Sequence, residues 1–152
     1  MVEIKGALLF NMDLTLGTAH VLNGSPLGDR RIVAVTGGTF KGPRMEGVVL
    51  PGGGDWLIQR HDKALLLDVR LALMTDDNAL IYMPYRGIRH GPSEVIERLN
   101  RGESVDPSEY YFRITPYFET GSEKYGWLNR IVSVGIGNRT PKEVHYSVFE
   151  IL

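Results

Sequence analysis

The sequence contains no cysteine in 152 residues. That excludes disulfide scaffolds, thiolate nucleophiles and zinc sites built on Cys. It also lacks a surplus charge: 17 Lys+Arg stand against 18 Asp+Glu, for a formal net charge of -1. Such balance gives no global pull toward nucleic acid or anionic lipid, so neither is expected as a partner. No stretch approaches the ~20 apolar residues of a membrane span. Behind Met1-Val2-Glu3-Ile4-Lys5 the apolar run is short and is broken by Asn11 and Asp13. A secretory signal needs about 7–15 apolar residues after a basic start, so the expected location is cytoplasmic. His20, His61, His90 and His145 form no HxH, HxxxH or HExxH pair, and no Gly-x-Ser-x-Gly elbow occurs. Neither metal nor cofactor is expected.

What the chain does have is apolar content, glycine and alternation. A 43% hydrophobic share supports a sizeable core, and the length suits a single domain over residues 1–152. Glycine numbers 18, well above the usual share of roughly 7%. From Ile4 the even positions read Ile4, Gly6, Leu8, Phe10, Met12, Leu14 and Leu16, with Lys5, Asn11, Asp13 and Thr15 on the other face. That is the pattern of a half-buried strand. Further strands are expected over residues 31–36, 44–50, 56–61, 64–74, 79–88, 110–118, 131–136 and 144–152. Gly37-Gly38, Pro51-Gly52-Gly53-Gly54, Asp76-Asp77-Asn78 and residues 135–141 read as the breaks between them. Many short strands at this spacing point to an all-β sandwich or barrel.

One helix interrupts the strands. Ser93 reads as its N-cap, Val95, Ile96 and Leu99 form an apolar stripe, and Gly102 suits the residue just past its end. Such a helix, near residues 93–101, either plugs one end of a barrel or packs outside it.

The hairpin around Asp77 is the most informative local feature. A three-residue loop, Asp76-Asp77-Asn78, with Asn78 in the left-handed region, pairs Leu73 with Ile81, Leu71 with Met83 and Val69 with Tyr85. The opposite face then carries Asp68, Arg70, Tyr82 and Arg86. A one-residue slip would scramble this segregation. If the polar face lines an interior, it is an anion-attracting wall. If it faces water, it is an ordinary cross-strand charge pair worth roughly 0.2–1 kcal/mol.

Pro51-Gly52-Gly53-Gly54-Asp55-Trp56 allows two readings. One is a tight turn at a rim. The other is a backbone close to a ligand, with Asp55 as acid, base or acceptor and Trp56 as a flat wall. Gly135-Ile136-Gly137-Asn138-Arg139-Thr140 fails as a dinucleotide fingerprint, because Thr140 holds the sixth position and Pro141 follows. Gly37-Gly38-Thr39-Phe40-Lys41-Gly42 lacks the ending of a phosphate loop. Aromatics such as Tyr110-Tyr111-Phe112 have no basic stripe around them and read as core or pocket lining.

The order of Gly37-Gly38, Gly42-Pro43, Gly47, Pro51-Gly52-Gly53-Gly54-Asp55-Trp56, Asp68-Val69-Arg70, Tyr111-Phe112-Arg113, Pro116-Tyr117-Phe118-Glu119-Thr120, Trp127-Leu128-Asn129 and Gly135-Ile136-Gly137 resembles the domain-of-unknown-function family numbered 3237. The resemblance runs from about Arg31 to the C-terminus; Asn78 stands where the family more usually has glycine. It implies a single antiparallel β-barrel of calycin or lipocalin type, with a small apolar ligand in the lumen or mouth. Asp55, Trp56, Asp68, Arg70, Thr120, Trp127 and Asn129 match its motifs.

Two functions are then expected as alternatives. The first is binding of a small aromatic or hydrophobic anion, with Trp56, Tyr82, Phe118 and Trp127 as walls, Arg70 as anchor, and Arg86, Thr120 and Asn129 beside it. The second is a cofactor-independent isomerase, lyase or hydrolase, with Asp55 or Asp68 as general base and Arg70, Tyr82 or Asn129 stabilising an oxyanion. A plain scaffold pairing through exposed strands is the third reading; the aromatic edges permit a homodimer without requiring it.

Overall fold

The computed structural model describes residues 2–152. Its strands are β1 (Gly6–Ser25), β2 (Gly28–Lys41), β3 (Glu46–Val49), β4 (Gly53–Gln59), β5 (Leu65–Thr75), β6 (Leu80–His90), β7 (Tyr111–Pro116), β8 (Ser133–Arg139) and β9 (Glu143–Ile151). One helix, α1 (Ser93–Asn100), follows β6. The order β1-β9-β8-β7-β6-β5-β3-β2-β4, with added β1–β2 and β5–β4 pairings, returns the sheet on itself. The result is an antiparallel, barrel-like ring. β3 and β4 share one place in it end to end: β3 pairs with the far ends of β2 and β5, and β4 with their other halves. No helix among the described residues is long and apolar enough to cross a membrane.

The β5–β6 hairpin has the register that its sequence demands. Leu73 pairs with Ile81, Leu71 with Met83, Val69 with Tyr85, Asp68 with Arg86, Arg70 with Pro84 and Ala72 with Tyr82. Asn78 takes φ 66. Its N–H donates to the Thr75 carbonyl at 3.0 Å. Thr75 Oγ1 donates to Asp77 Oδ1 at 2.6 Å, and Tyr125 Oη and Lys124 Nζ reach the same carboxylate at 2.8 and 2.6 Å. These partners hold the Asp77 carboxyl well below the ordinary carboxylate range, the Lys124 contact first.

Alternation sorts the two faces of each strand. Leu67, Val69, Leu71 and Leu73 point inward from β5, and Asp68 and Arg70 point outward. One end of the interior is filled solidly: Phe10 meets Phe40 and Phe118 at 5.4 and 6.0 Å between ring centroids, packed with buried Met12, Leu73, Ile81, Met83 and Val148. The ring is thinnest between β7 and β8, where only Arg113 with Ile136 and Ile114 with Gly135 pair. Side chains satisfy the freed backbone groups there. Ser133 Oγ donates to the Pro116 carbonyl at 2.7 Å, and Tyr110 Oη accepts from the Arg139 N–H at 2.9 Å.

Several boundaries differ from the sequence pattern. β1 continues past Leu16 to Ser25, through residues exposed on both faces, because β2 backs them without covering them. A register irregularity between Leu8 and Phe10 turns Leu9 inward and leaves Leu8 exposed. Gly37 and Gly38 do not break β2, and Gly135 and Gly137 lie within β8. At Gly137 a methyl group would sit 2.7 Å from the Phe112 ring, so the missing side chain makes room for that ring. Of the Pro51–Gly54 run only Pro51 and Gly52 form a turn, with Gly52 at φ 102; Gly53 and Gly54 already belong to β4 and pair with β2. Ser93 is the first residue of α1 rather than its cap; Pro92 holds the cap position and no side chain closes it. The other end matches expectation. Gly102, at φ 79, donates to the Leu99 carbonyl, and Glu103 to that of Arg98, both at 3.0 Å.

Candidate functional site

The unfilled end of the ring holds a cavity of about 310 Å³. Its walls are mostly aliphatic: Leu14 and Leu16 from β1, Val33 and Val35 from β2, Leu57 from β4, Leu65, Leu67 and Val69 from β5. Leu99 and Asn100 of α1, with Thr140 and Pro141 of the β8–β9 turn, stand at its mouth. The helix therefore sits over the open end, placed there by burial of Val95 and Leu99. Five polar groups break the apolar lining: Asp55, Tyr85, Arg89, Arg139 and Tyr146, with Arg31 beside them.

Asp55 is the only carboxylate among the cavity-lining residues. β4 alternates, so Asp55 shares its inward face with Leu57, and it is 9% exposed. Its Oδ1 accepts one hydrogen bond, from the Asp68 backbone N–H at 3.1 Å. Burial disfavours the charged form and pushes its pKa up to about 6, with the nearby Asp68 charge adding to the rise. The Asp68 N–H and the positive charge of Arg89 oppose that rise without cancelling it. A carboxyl at this value is present in both protonation states near neutrality. It can therefore give or take a proton.

Tyr85 and Tyr146 meet edge to face, with centroids 5.4 Å apart, and Tyr146 also meets Phe112 at 5.5 Å. Burial pushes both phenols above their ordinary value, and the Asp55 charge adds to each. They are neutral at physiological pH and give the cavity an aromatic section of wall beside the aliphatic one.

Of the residues that the sequence singled out, Asp55 alone lines the cavity. Asp68 meets it only through its backbone; its side chain points outward with Arg70 and Arg86. Tyr82 and Trp56, 37% and 40% exposed, also lie on the outer face. The polar hairpin face is thus the outer one, and the lumen takes the apolar face, because Leu67, Val69 and Leu71 gain far more from burial than charged groups do. Phe118 is buried in the filled end, against Phe10. Thr120 and Asn129 hold each other: the Thr120 N–H donates to Asn129 Oδ1 at 2.8 Å and Asn129 Nδ2 donates to the Thr120 carbonyl at 2.9 Å. Trp127 carries the Arg44 guanidinium over its ring at 3.7 Å. These three shape the loop before β8, away from the cavity.

The groups that the sequence reading passed over were legible by parity. Arg31 shares a face with Val33 and Val35, and Tyr146 with Val144 and Val148. Arg89 follows Tyr85 and Gly87 at the same parity, but a strand ended at Ile88 hides it; β6 runs on to His90. Arg139 is lost in the same way at the end of β8.

Comparison with known proteins agrees with this architecture. A UPF0311 protein of Rhodopseudomonas palustris is 42% identical over 125 residues, covering 82% of each chain. A crystal structure of a beta-barrel like protein from Acinetobacter baumannii superposes with a TM-score of 0.87 at 40% identity, covering 100% of this chain and 98% of that one. A hydroalkoxylation enzyme of Penicillium herquei is more distant, 27% identical over 127 residues, covering 84% of this chain and 70% of its own. The family model described as protein of unknown function DUF3237 matches residues 5–151, and the chain belongs to that family.

Proposed function

We propose that the lumen binds a small aromatic or hydrophobic anionic ligand and that Asp55 moves a proton to or from it. The observation that carries this reading is the Asp55 carboxyl itself. It is set into an aliphatic cavity wall, fixed by one backbone N–H, and ion-paired to nothing. A structural carboxylate gains nothing from such a position, because burial without a partner destabilises its charged form. An acid–base group gains a working pKa. The cavity volume lies at the lower end of the usual range for small-molecule sites, roughly 300–1,000 Å³, which limits the ligand to one or two fused rings.

Hydroalkoxylation, the activity of the Penicillium herquei relative, is of a kind that such a site supports. Hydroalkoxylation adds an O–H across a C=C bond: one carbon takes the proton and its neighbour takes the oxygen. No electrons are gained or lost, so one carboxyl that gives a proton and later recovers it suffices. Isomerisation or elimination would use the same group in the same way.

The reading is tested by proton transfer rather than by a guessed product. A thermal-shift screen of phenols, aromatic acids and enolisable aryl ketones identifies binders, and NMR in D2O follows deuterium entering the bound compound. The wild type should accelerate the exchange, and Asp55→Asn should abolish it while binding persists. Exchange that is unchanged in Asp55→Asn removes Asp55 from the chemistry, and binding without any exchange leaves a binding protein.

A further inference from the structure

The cavity carries more positive charge than its own carboxylate can match. Arg31 comes from β2, Arg89 from β6 and Arg139 from β8, and all three line the same cavity with Asp55. None of them forms a salt bridge among the described residues, although Arg44, Arg60, Arg98 and Arg101 each do so on the surface. Arg139 Nη1 reaches only the Glu143 carbonyl at 3.3 Å. Arg89 Nε is buried with no hydrogen-bond partner at all. Arg31 and Arg89 also border a small recess at the rim that Lys63 shares.

The geometry points to a built anion seat: Arg89 and Arg139, with Arg31 at the rim, receive the carboxylate of the ligand and hold its body against Tyr85 and Tyr146 with the reacting end toward Asp55. This rests on the reading of the lumen as a ligand cavity. A guanidinium left unpaired in a mostly apolar wall is costly unless a charge arrives to meet it. Two of the three are disfavoured by the charges around them. Burial lowers the pKa of Arg89 and of Arg139; the Arg139 charge lowers that of Arg89 further, and the Arg31 charge lowers both. Arginine rather than lysine suits the purpose, since its planar fork gives a carboxylate two parallel hydrogen bonds. Two guanidiniums from strands on different sides of β7 also fix the direction of a flat ligand, which one could not.

The probes are 2-naphthoate and its neutral isostere 2-naphthamide, titrated calorimetrically into the wild type and three variants. The wild type should bind the naphthoate about tenfold or more tighter than the amide, the scale of one charge-assisted hydrogen bond. Arg89→Met and Arg139→Met, which keep the apolar stem and relieve an unpaired charge, should each remove most of that preference. Asp55→Asn should keep it or increase it. Equal affinity for the two probes, a preference that survives in both arginine variants, or no naphthoate binding at millimolar concentration would overturn the proposal. Failure of proton transfer alone leaves the charge preference intact, so the seat and the Asp55 reading fail separately.

Discussion

The backbone N–H of Asp68 donates to Oδ1 of Asp55 at 3.1 Å, across the β4–β5 ladder. One aspartate is thus aimed into the cavity by the main chain of another whose own carboxylate faces outside. The arrangement separates the two roles: the Asp68 backbone positions and its side chain only adds field. Since the Asp68 charge raises the Asp55 pKa, Asp68→Asn should shift the Asp55 titration downward, observed by carbon NMR of the carboxyl. It should not abolish proton transfer. Loss of activity as complete as that of Asp55→Asn would show that the outer carboxylate takes part directly.

The raised pKa has a stability consequence of definite sign. Between the ordinary aspartate value of 3.8 and about 6, the unfolded chain releases the proton while the folded chain keeps it. The native state binds more protons in that window, so stability falls as pH rises through it and stays lower above it. Asp55→Asn keeps the acceptor for the Asp68 N–H and removes the charge. Denaturant unfolding should find it more stable than the wild type at pH 8 by roughly 3 kcal/mol, at 1.36 kcal/mol per pKa unit. The two proteins should be nearly equal at pH 4. A site that is more stable without its carboxylate is one kept for function.

The outer face makes the complementary case. Arg70 and Tyr82 project away from the lumen, so Arg70→Ala and Tyr82→Ala should leave naphthoate affinity unchanged. Stability should move by no more than about 0.5 kcal/mol, as for most surface changes. A tenfold loss of affinity in Arg70→Ala would move the binding site to the outside of the ring.

What the sequence made legible follows from where its signals are redundant. In the β5–β6 hairpin, loop length, the left-handed tolerance of Asn78 and the segregation of apolar from polar residues all demand one register. That register is the one observed. The direction of the polar face was not legible, because a ring and an open sheet alternate identically; only closure decides which side is inner. Arg89 and Arg139 escaped because charged residues at the ends of alternating runs read as the exits of strands. The alternation of Tyr85, Gly87 and Arg89 continues inward regardless. The glycines misled for the same reason. Gly135 and Gly137 read as a break, yet they are strand residues whose missing side chains are filled by Ile114 and Phe112 from the next strand.

Asn78 offers a test of the turn that sets this register. At φ 66 it pays the left-handed penalty only in part, since asparagine tolerates that region. Asn78→Ala should destabilise the chain by about 1 kcal/mol. Asn78→Gly should be neutral or slightly stabilising. Thermal unfolding of the pair gives the order directly, and Ala equal to Gly would mean that the loop had rearranged.

The Gly137 contact is a stronger constraint, because the atoms in the way can give only by disturbing a packed core. A methyl there would stand 2.7 to 2.8 Å from three atoms of the Phe112 ring. That ring is buried and is itself pressed against Tyr146, so it is not the loose end of a flexible chain. Gly137→Ala should therefore cost about 1–3 kcal/mol, the scale of overpacking. It should also displace Phe112 toward Tyr146 and shrink the cavity that both line. Phe112→Leu in the same chain should recover part of the stability, since the smaller side chain vacates the volume that the methyl needs. If the double variant is no more stable than the sum of the two single losses predicts, the ring is not what excludes a side chain at position 137. Loss of naphthoate affinity in Gly137→Ala, restored in the double variant, would tie the strand glycine to the shape of the cavity.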